Sequence, residues 1–377
     1  MLPPVADAAA APVIRTGNAL DDRTAIDLVT RAVSCPSPSG HEAAVTQILV
    51  EAMSAGGAEA HVDESGNAVG AWGTGPLKVA FLGHMDTVPG EIPVRVEGGV
   101  LYGRGSVDAK GSLCAAIAAA SRLDGRALAA LTLHVIGAVE EEVPSSRGCR
   151  HVLATLPAPD LVIIGEPSGW DRYTLGYKGR LAVRLDARRE SAHGARDEPS
   201  AAEMLVDAYA AVRRWVERDN QGVESAFDRL QVTLRRLSSE DDGLVDRCHG
   251  EVVFRLPPRW ESARLARSVS ELTFGPGIEL TQTSAEEPVR ADNRSPLARA
   301  FRAGIRAAGG AARPVLKTGT SDMNVVAPHW RVPTVAYGPG DASLDHTPHE
   351  RLSLDEYLRS IEVLGSVLGS LASAVSG

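Results

Sequence analysis

Three short apolar runs constrain the fold of this 377-residue chain more than any other feature. Residues 77–84 (LKVAFLGH), 130–140 (ALTLHVIGAVE) and 160–167 (DLVIIGEP) are rich in β-branched and large apolar side chains. Each runs into a histidine or a carboxylate. Runs of this length with little polar alternation read as strands buried on both faces. Residues 112–121, between the first two, are rich in Ala and read as a helix packed on the sheet. Strands alternating with helices predict an α/β layer with a parallel or mixed sheet. Ligands of such sheets gather outside the C-terminal ends of the strands. His84, Glu140 and Glu166 fall at those ends.

The flanking segments fill out this plan. Residues 21–56 read as two helices separated by the Cys-Pro-Ser-Pro-Ser-Gly loop at 35–40. A hairpin follows, with HVDE and AVGAW joined through Ser65-Gly66-Asn67. From residue 180 the texture changes. A strand (LAVRLDARR), a helix over 199–219, strands near RLQVTLRRL and GEVVFRLPP, a helix over 260–274 and a strand at GIELTQTSA give the order β-α-β-β-α-β. That is the ferredoxin-like pattern. The chain therefore divides into a tail at 1–20, a first α/β part at 21–179, an inserted module at 180–288 and a second α/β part at 289–377. The run IEVLGSVLGSLASAV, interrupted by Glu362, reads as a packed terminal helix rather than a membrane span.

Composition narrows the class of partner. A net charge of -9 argues against a nucleic-acid or anionic-membrane surface. The four cysteines form no CxxC pair, so reduced thiols in a cytoplasmic protein are expected. The first 17 residues lack a basic start followed by an apolar core, and read as a flexible tail rather than a signal peptide.

Five segments carry metal-type ligands. Residues two apart on a strand share a face, so Asp86 is expected to accept a hydrogen bond from the second ring nitrogen of His84. Asp108 lies in GRGSVDAKG, whose spacing fits neither a phosphate loop nor a dinucleotide fingerprint. It reads either as a helix cap or as a carboxylate bridging two ions. Glu140, Glu141 and Glu142 form a solvated charge run, or else carboxylates gathered around cations. Glu166 and the late His346 complete a set suited to zinc, cobalt or manganese. No HExxH is present, which excludes helix-based zinc peptidases.

In combination, GHMDTVPG, GRGSVDAKG, the glutamate run, GEP and the late histidine resemble the M20 group of dinuclear metallopeptidases. That group includes acetylornithine deacetylase, succinyl-diaminopimelate desuccinylase and glutamate carboxypeptidase. The resemblance implies a zinc-peptidase-like α/β/α catalytic domain with an inserted ferredoxin-like dimerisation lid, and hence a homodimer. It implies two divalent ions per subunit, zinc by default and cobalt as the other candidate. His84 and Glu166 would hold one ion, Glu142 and His346 the other, with Asp108 between them. Asp86 would orient His84 and Glu141 would act as general base on a water. His193, in Ser191-Ala192-His193-Gly194, would reach the partner subunit's site and meet the developing oxyanion. Two departures stand out. Glu140 occupies a position where the group often has aspartate, and Val143-Pro144-Ser145-Ser146 lacks the usual glycine.

GYKGR at 176–180 and KTGTSDMN at 317–324 are most like the branch that releases lysine or ornithine from the C-terminal glutamate of LysW, a small acidic carrier protein. Arg255, Thr320 and Asn324 are the expected substrate contacts. Deacylation of acetylornithine or succinyl-diaminopimelate, or dipeptide or carboxypeptide cleavage, would use the same chemistry in a different pocket.

Overall fold

The computed structural model describes residues 19–191, 198–272 and 274–375. Helix α1 (Asp22–Val33) begins where the Asp21 side chain caps the Thr24 amide. The proline-containing loop separates it from α2 (Ala43–Ala55), as expected. Strands β1 (Glu59–Val62) and β2 (Ala68–Trp72) form the expected antiparallel hairpin. Strand β3 (Leu77–His84) is buried over its last six residues. A surface hairpin, β4 (Arg95–Glu97) and β5 (Val100–Tyr102), precedes α3 (Lys110–Ser121), which is buried on every side. Helix α4 (Gly125–Ala130) leads into β6 (Leu131–Ala138); α5 (Arg147–Thr155), β7 (Leu161–Gly165) and β8 (Arg172–Tyr177) follow.

The chain then builds a separate β-rich unit. Its elements are β9 (Gly179–Glu190), α6 (Ala201–Asp219), β10 (Gln231–Asp241), β11 (Val245–Leu256), α7 (Ser262–Ser270) and β12 (Ile278–Glu286). These strands form an antiparallel sheet in the order β10-β11-β9-β12. Leu181, Val183 and Leu185 alternate onto one face and meet Leu205 and Val212 of α6 and Leu265 of α7. Burying each such side chain contributes about 1.5–3 kcal/mol. The Ser200–Glu203 capping box starts α6 and contributes roughly 1 kcal/mol more. The opposite face of β9 carries the half-buried Arg180 and the exposed Arg184.

The chain returns through β13 (Val289–Arg290), α8 (Pro296–Ala307), β14 (Arg313–Lys317), α9 (Asp322–Trp330), β15 (Thr334–Ala336), β16 (Arg351–Ser353) and α10 (Leu354–Val375). The large sheet runs β1-β2-β6-β3-β7-β15-β8-β13, with β14 also on β8. At its centre β3 is parallel to both β6 and β7. Its alternate residues serve two cores. Val79 and Phe81 pack with α1, α3, α8 and α10, while Leu82 packs with α5 and α9. The result is three layers, helix on sheet on helix. Helix α10 is long and apolar enough to cross a membrane by length and composition alone. Here Tyr357, Ile361, Leu364 and Leu368 are buried, and the helix packs on α3 and α8 as the expected terminal core helix.

Candidate metal centre

The three apolar runs end at one edge of the large sheet, where His84, Glu166 and, two residues beyond Glu140, Glu142 gather. His84 closes β3, and its Nδ1 lies 3.0 Å from the backbone carbonyl of Asp86. A carbonyl only accepts, so Nδ1 carries a proton and Nε2 is left to face the site. Nε2 lies 3.1 Å from Asp108 Oδ1 and 3.8 Å from Glu166 Oε1. On the other side, His346 Nε2 lies 3.0 Å from both Asp108 Oδ2 and Glu142 Oε1. Asp108 therefore turns one carboxylate oxygen to each histidine. Its peptide bond to Ala109 is cis.

Each trio offers donor atoms that all lie within 4.8 Å of one another. Tetrahedral ligands at about 2.0–2.1 Å from a zinc-like ion stand roughly 3.3 Å apart, so the observed spacings fit one ion in each cluster. The electrostatics fit as well. Burial, with Asp108 adding to it, pushes the Glu166 carboxyl up to about 8. Burial also raises Glu142, and raises Glu141 well above the usual range with Glu166, Asp322 and Glu142 contributing. Hydrogen bonds to Asp108 and Glu142 lift His346 to about 10. Burial opposes ionisation of Asp108, yet its contacts with His346 and His84 hold it well below the usual range. The site demands positive charge, and divalent cations bound by these ligands would satisfy it.

Asp86 departs from the expected geometry. Its carboxylate is 3.4 Å from His84 Nδ1, farther than its own carbonyl. The backbone carbonyl makes the nearer contact because β3 ends at His84. Beyond it the chain follows the 35–40 loop, with the Thr87 amide donating to the Ser37 carbonyl. The Asp86 carboxylate instead accepts the backbone amides of Glu141 and Glu142, each at 3.0 Å, and the Ser39 hydroxyl at 2.7 Å. It thus orders the glutamate segment while one oxygen stands beside the imidazole. Glu140 points elsewhere, accepting from Ser145 and Arg147, and its φ of 58° turns the chain between β6 and the two inward glutamates. His346 also has a left-handed backbone, at φ 60°. Such conformations cost on the order of 1 kcal/mol or more and persist where the surroundings enforce them.

Residues without a sequence signal support this frame. Glu42 Oε1 accepts the amides of Gly40 and Glu140. Fully buried Glu350 accepts the amides of Val107 and Asp108 and pairs with Arg104. Gly111 permits the Asp108 turn, since a Cβ there would sit 2.4 Å from the Ser106 carbonyl oxygen.

The clusters open into a cleft of about 1010 Å³ between the two units, lined by Glu141 from the large unit and by Arg180 and Arg255 from the smaller one. This is at the upper end of the volumes of small-molecule sites, about 300–1,000 Å³. Arg255 Nη1 donates to Thr320 Oγ1 at 2.9 Å across the cleft, so both of these expected contact residues face it. Asn324 does not line it. Its Nδ2 donates to the carbonyls of Lys178 and Glu287, in the two segments that connect the units, and its Oδ1 accepts the Ser321 amide. Those bonds, together with 2 % exposure, commit it to the crossing rather than to a substrate. His193 lies outside the described residues.

The model of peptidase family M20/M25/M40 matches residues 80–370. The chain is 50% identical over 355 residues to a [LysW]-lysine hydrolase of Deinococcus radiodurans, covering 93% of this chain and 98% of that one. It is 40% identical over 352 residues to a putative [LysW]-lysine/[LysW]-ornithine hydrolase of Thermococcus kodakarensis, covering 93% and 92%. Among solved structures, a tripeptidase of Staphylococcus aureus shares the fold at a TM-score of 0.76 and 16% identity, over 94% of this chain and 100% of that one. A carboxylate shared between two histidine–carboxylate clusters, on a fold matched across most of its length, places this chain in peptidase family M20/M25/M40.

Proposed function

We propose that this protein hydrolyses the amide joining lysine, or ornithine, to the C-terminal glutamate of a LysW-type carrier protein. The chemistry rests on one observation, the Asp108 carboxylate presented to His84 on one side and His346 on the other at the floor of an open cleft. The choice of substrate rests on the 50% identity to a [LysW]-lysine hydrolase along nearly its whole length.

His84, Glu166 and Asp108 would hold one divalent ion, and His346, Glu142 and Asp108 a second. Nitrogen and carboxylate donors at these spacings suit zinc, with cobalt as the other candidate. When bound, such ions lower the proton affinity of water and polarise a carbonyl. The protein's own groups do the rest. Glu141, held through its amide by Asp86, takes a proton from the attacking water as the oxygen adds to the amide carbon. The protonated Glu141 then delivers that proton to the leaving amine nitrogen as the C–N bond breaks. Arg255 and Thr320 face the reacting amide from opposite walls and hold the substrate.

We read the smaller unit as a ferredoxin-like lid that also forms a homodimer interface. The β-α-β-β-α-β order and the β10-β11-β9-β12 strand order support this reading. In that dimer His193 donates to the developing oxyanion of the partner's site.

The test is a product assay. Purified, metal-supplemented protein is given carrier-linked lysine, carrier-linked ornithine, acetylornithine and succinyl-diaminopimelate. Release of lysine or ornithine from the carrier, faster than cleavage of the small amides, is expected. Turnover of the small amides with none from the carrier overturns the substrate assignment. Mixing His193→Ala with Glu141→Gln protein should restore activity in heterodimers. No recovery in confirmed heterodimers rules out a shared site.

A further inference from the structure

Three ligand-bearing loops converge on one side chain that binds no metal. Glu350 lies four residues after His346 and is fully buried. Its Oε1 accepts the amides of Val107 at 2.9 Å and Asp108 at 3.1 Å. Its Oε2 accepts from Arg104 Nη1 at 2.8 Å, and Arg104 Nε donates to the Gly90 carbonyl at 3.1 Å. Gly90 belongs to the loop that leaves His84. The loops of His84, Asp108 and His346 are thus tied at a single carboxylate, one of whose bonds goes to the backbone of Asp108 itself.

The geometry has a specific consequence. Asp108 is the one residue common to both clusters, so the orientation of its peptide sets the aim of both oxygens. A carboxylate accepts two amides on one oxygen and an arginine on the other, and these charge-assisted bonds are the strong ones. Alanine at 350 would leave two buried amides and a guanidinium without their acceptor, and the Asp108 turn would lose its outer support.

We propose that Glu350 is a positioning residue that couples the two ion sites by fixing the backbone of their shared ligand. The inference rests on the two-ion reading above. Outer contacts of this kind typically alter metal affinity about 10–100-fold when removed. Loss of Glu350 should weaken both ions together, whereas loss of His346 should weaken one.

The experiment is a chelator competition with zinc on full-length wild type, Glu350→Ala, Glu350→Gln and His346→Ala. It is run alongside thermal melts and amide exchange at residues 107–108 of the metal-free proteins. Wild type is expected to take two ions. Glu350→Ala should bind both about 10-fold or more weakly, with faster exchange at 107–108. His346→Ala should retain one ion at near wild-type affinity. Glu350→Gln keeps one oxygen acceptor but loses the ion pair with Arg104. It should show a smaller fall at both sites, and it carries the test if the alanine variant does not fold. Wild-type affinity at both sites in a folded Glu350 variant, or weakening confined to one ion, overturns the coupling. Failure of wild type to bind two ions overturns the two-ion reading instead.

Discussion

The Asp86 carboxylate accepts the backbone amide of Glu141 at 3.0 Å, so the proposed base is held by the residue that follows the first metal-binding strand by two positions. Asp86 is fully buried, and its second oxygen takes the Glu142 amide and the Ser39 hydroxyl. The amides of one ligand and of the base therefore hang on this side chain, while Glu42 takes the neighbouring Glu140 amide. Asp86→Asn retains the shape but offers one acceptor oxygen where the native residue offers two. Activity should fall about 10–100-fold, with the larger share in kcat, because the base is displaced more than the cleft walls. Steady-state kinetics on a folded, metal-loaded variant checks this. An unchanged kcat would show that the glutamate segment holds its place without Asp86.

Glu141→Gln removes the proton acceptor while keeping size and backbone contacts. Loss of a general base costs about 10²–10⁴-fold in rate. Metal content should be unchanged, since the two clusters do not include Glu141. Turnover and metal analysis on the same sample test both halves. A fully active, metal-loaded variant would remove Glu141 from the mechanism.

Asn324→Asp should act on the crossing between the units. The native amide donates to two carbonyls, in the segments entering and leaving the smaller unit. Aspartate places negative charge against both oxygens in a buried setting. A loss of about 3 kcal/mol or more is expected, with faster amide exchange at residues 178–180 and 286–289. Denaturant unfolding and exchange mass spectrometry measure these. Wild-type exchange at both segments would show that the crossing does not depend on this side chain.

Much of this centre is legible in the sequence because its ligands end strongly apolar strands. Continuous runs such as LKVAFLGH announce a buried strand, and the polar residue that stops it marks the sheet edge. The β-α-β-β-α-β order was equally readable, since its strands are long and its helices amphipathic. Strands such as β13 and β15, two and three residues long, leave no periodic signal. The supporting contacts were also hidden. Strand alternation puts Asp86 beside His84 but is silent on its bonds to the Glu141 and Glu142 amides, which lie beyond the strand. Glu350 accepts the Val107 amide and Glu42 the Glu140 amide, 243 and 98 residues away in sequence, and no local pattern encodes such a bond. Asn324 sits in a polar turn-rich motif where substrate contact and backbone support look alike.

Counting ions tests the central claim most directly. Wild-type, His84→Ala and His346→Ala proteins are stripped with chelator, reloaded with zinc, desalted and measured by mass spectrometry for metal per chain. A carboxylate shared between two clusters predicts two ions in wild type and about one in each histidine variant. A single ion in wild type, or two ions retained in either variant, would contradict a centre in which Asp108 joins a His84 cluster to a His346 cluster.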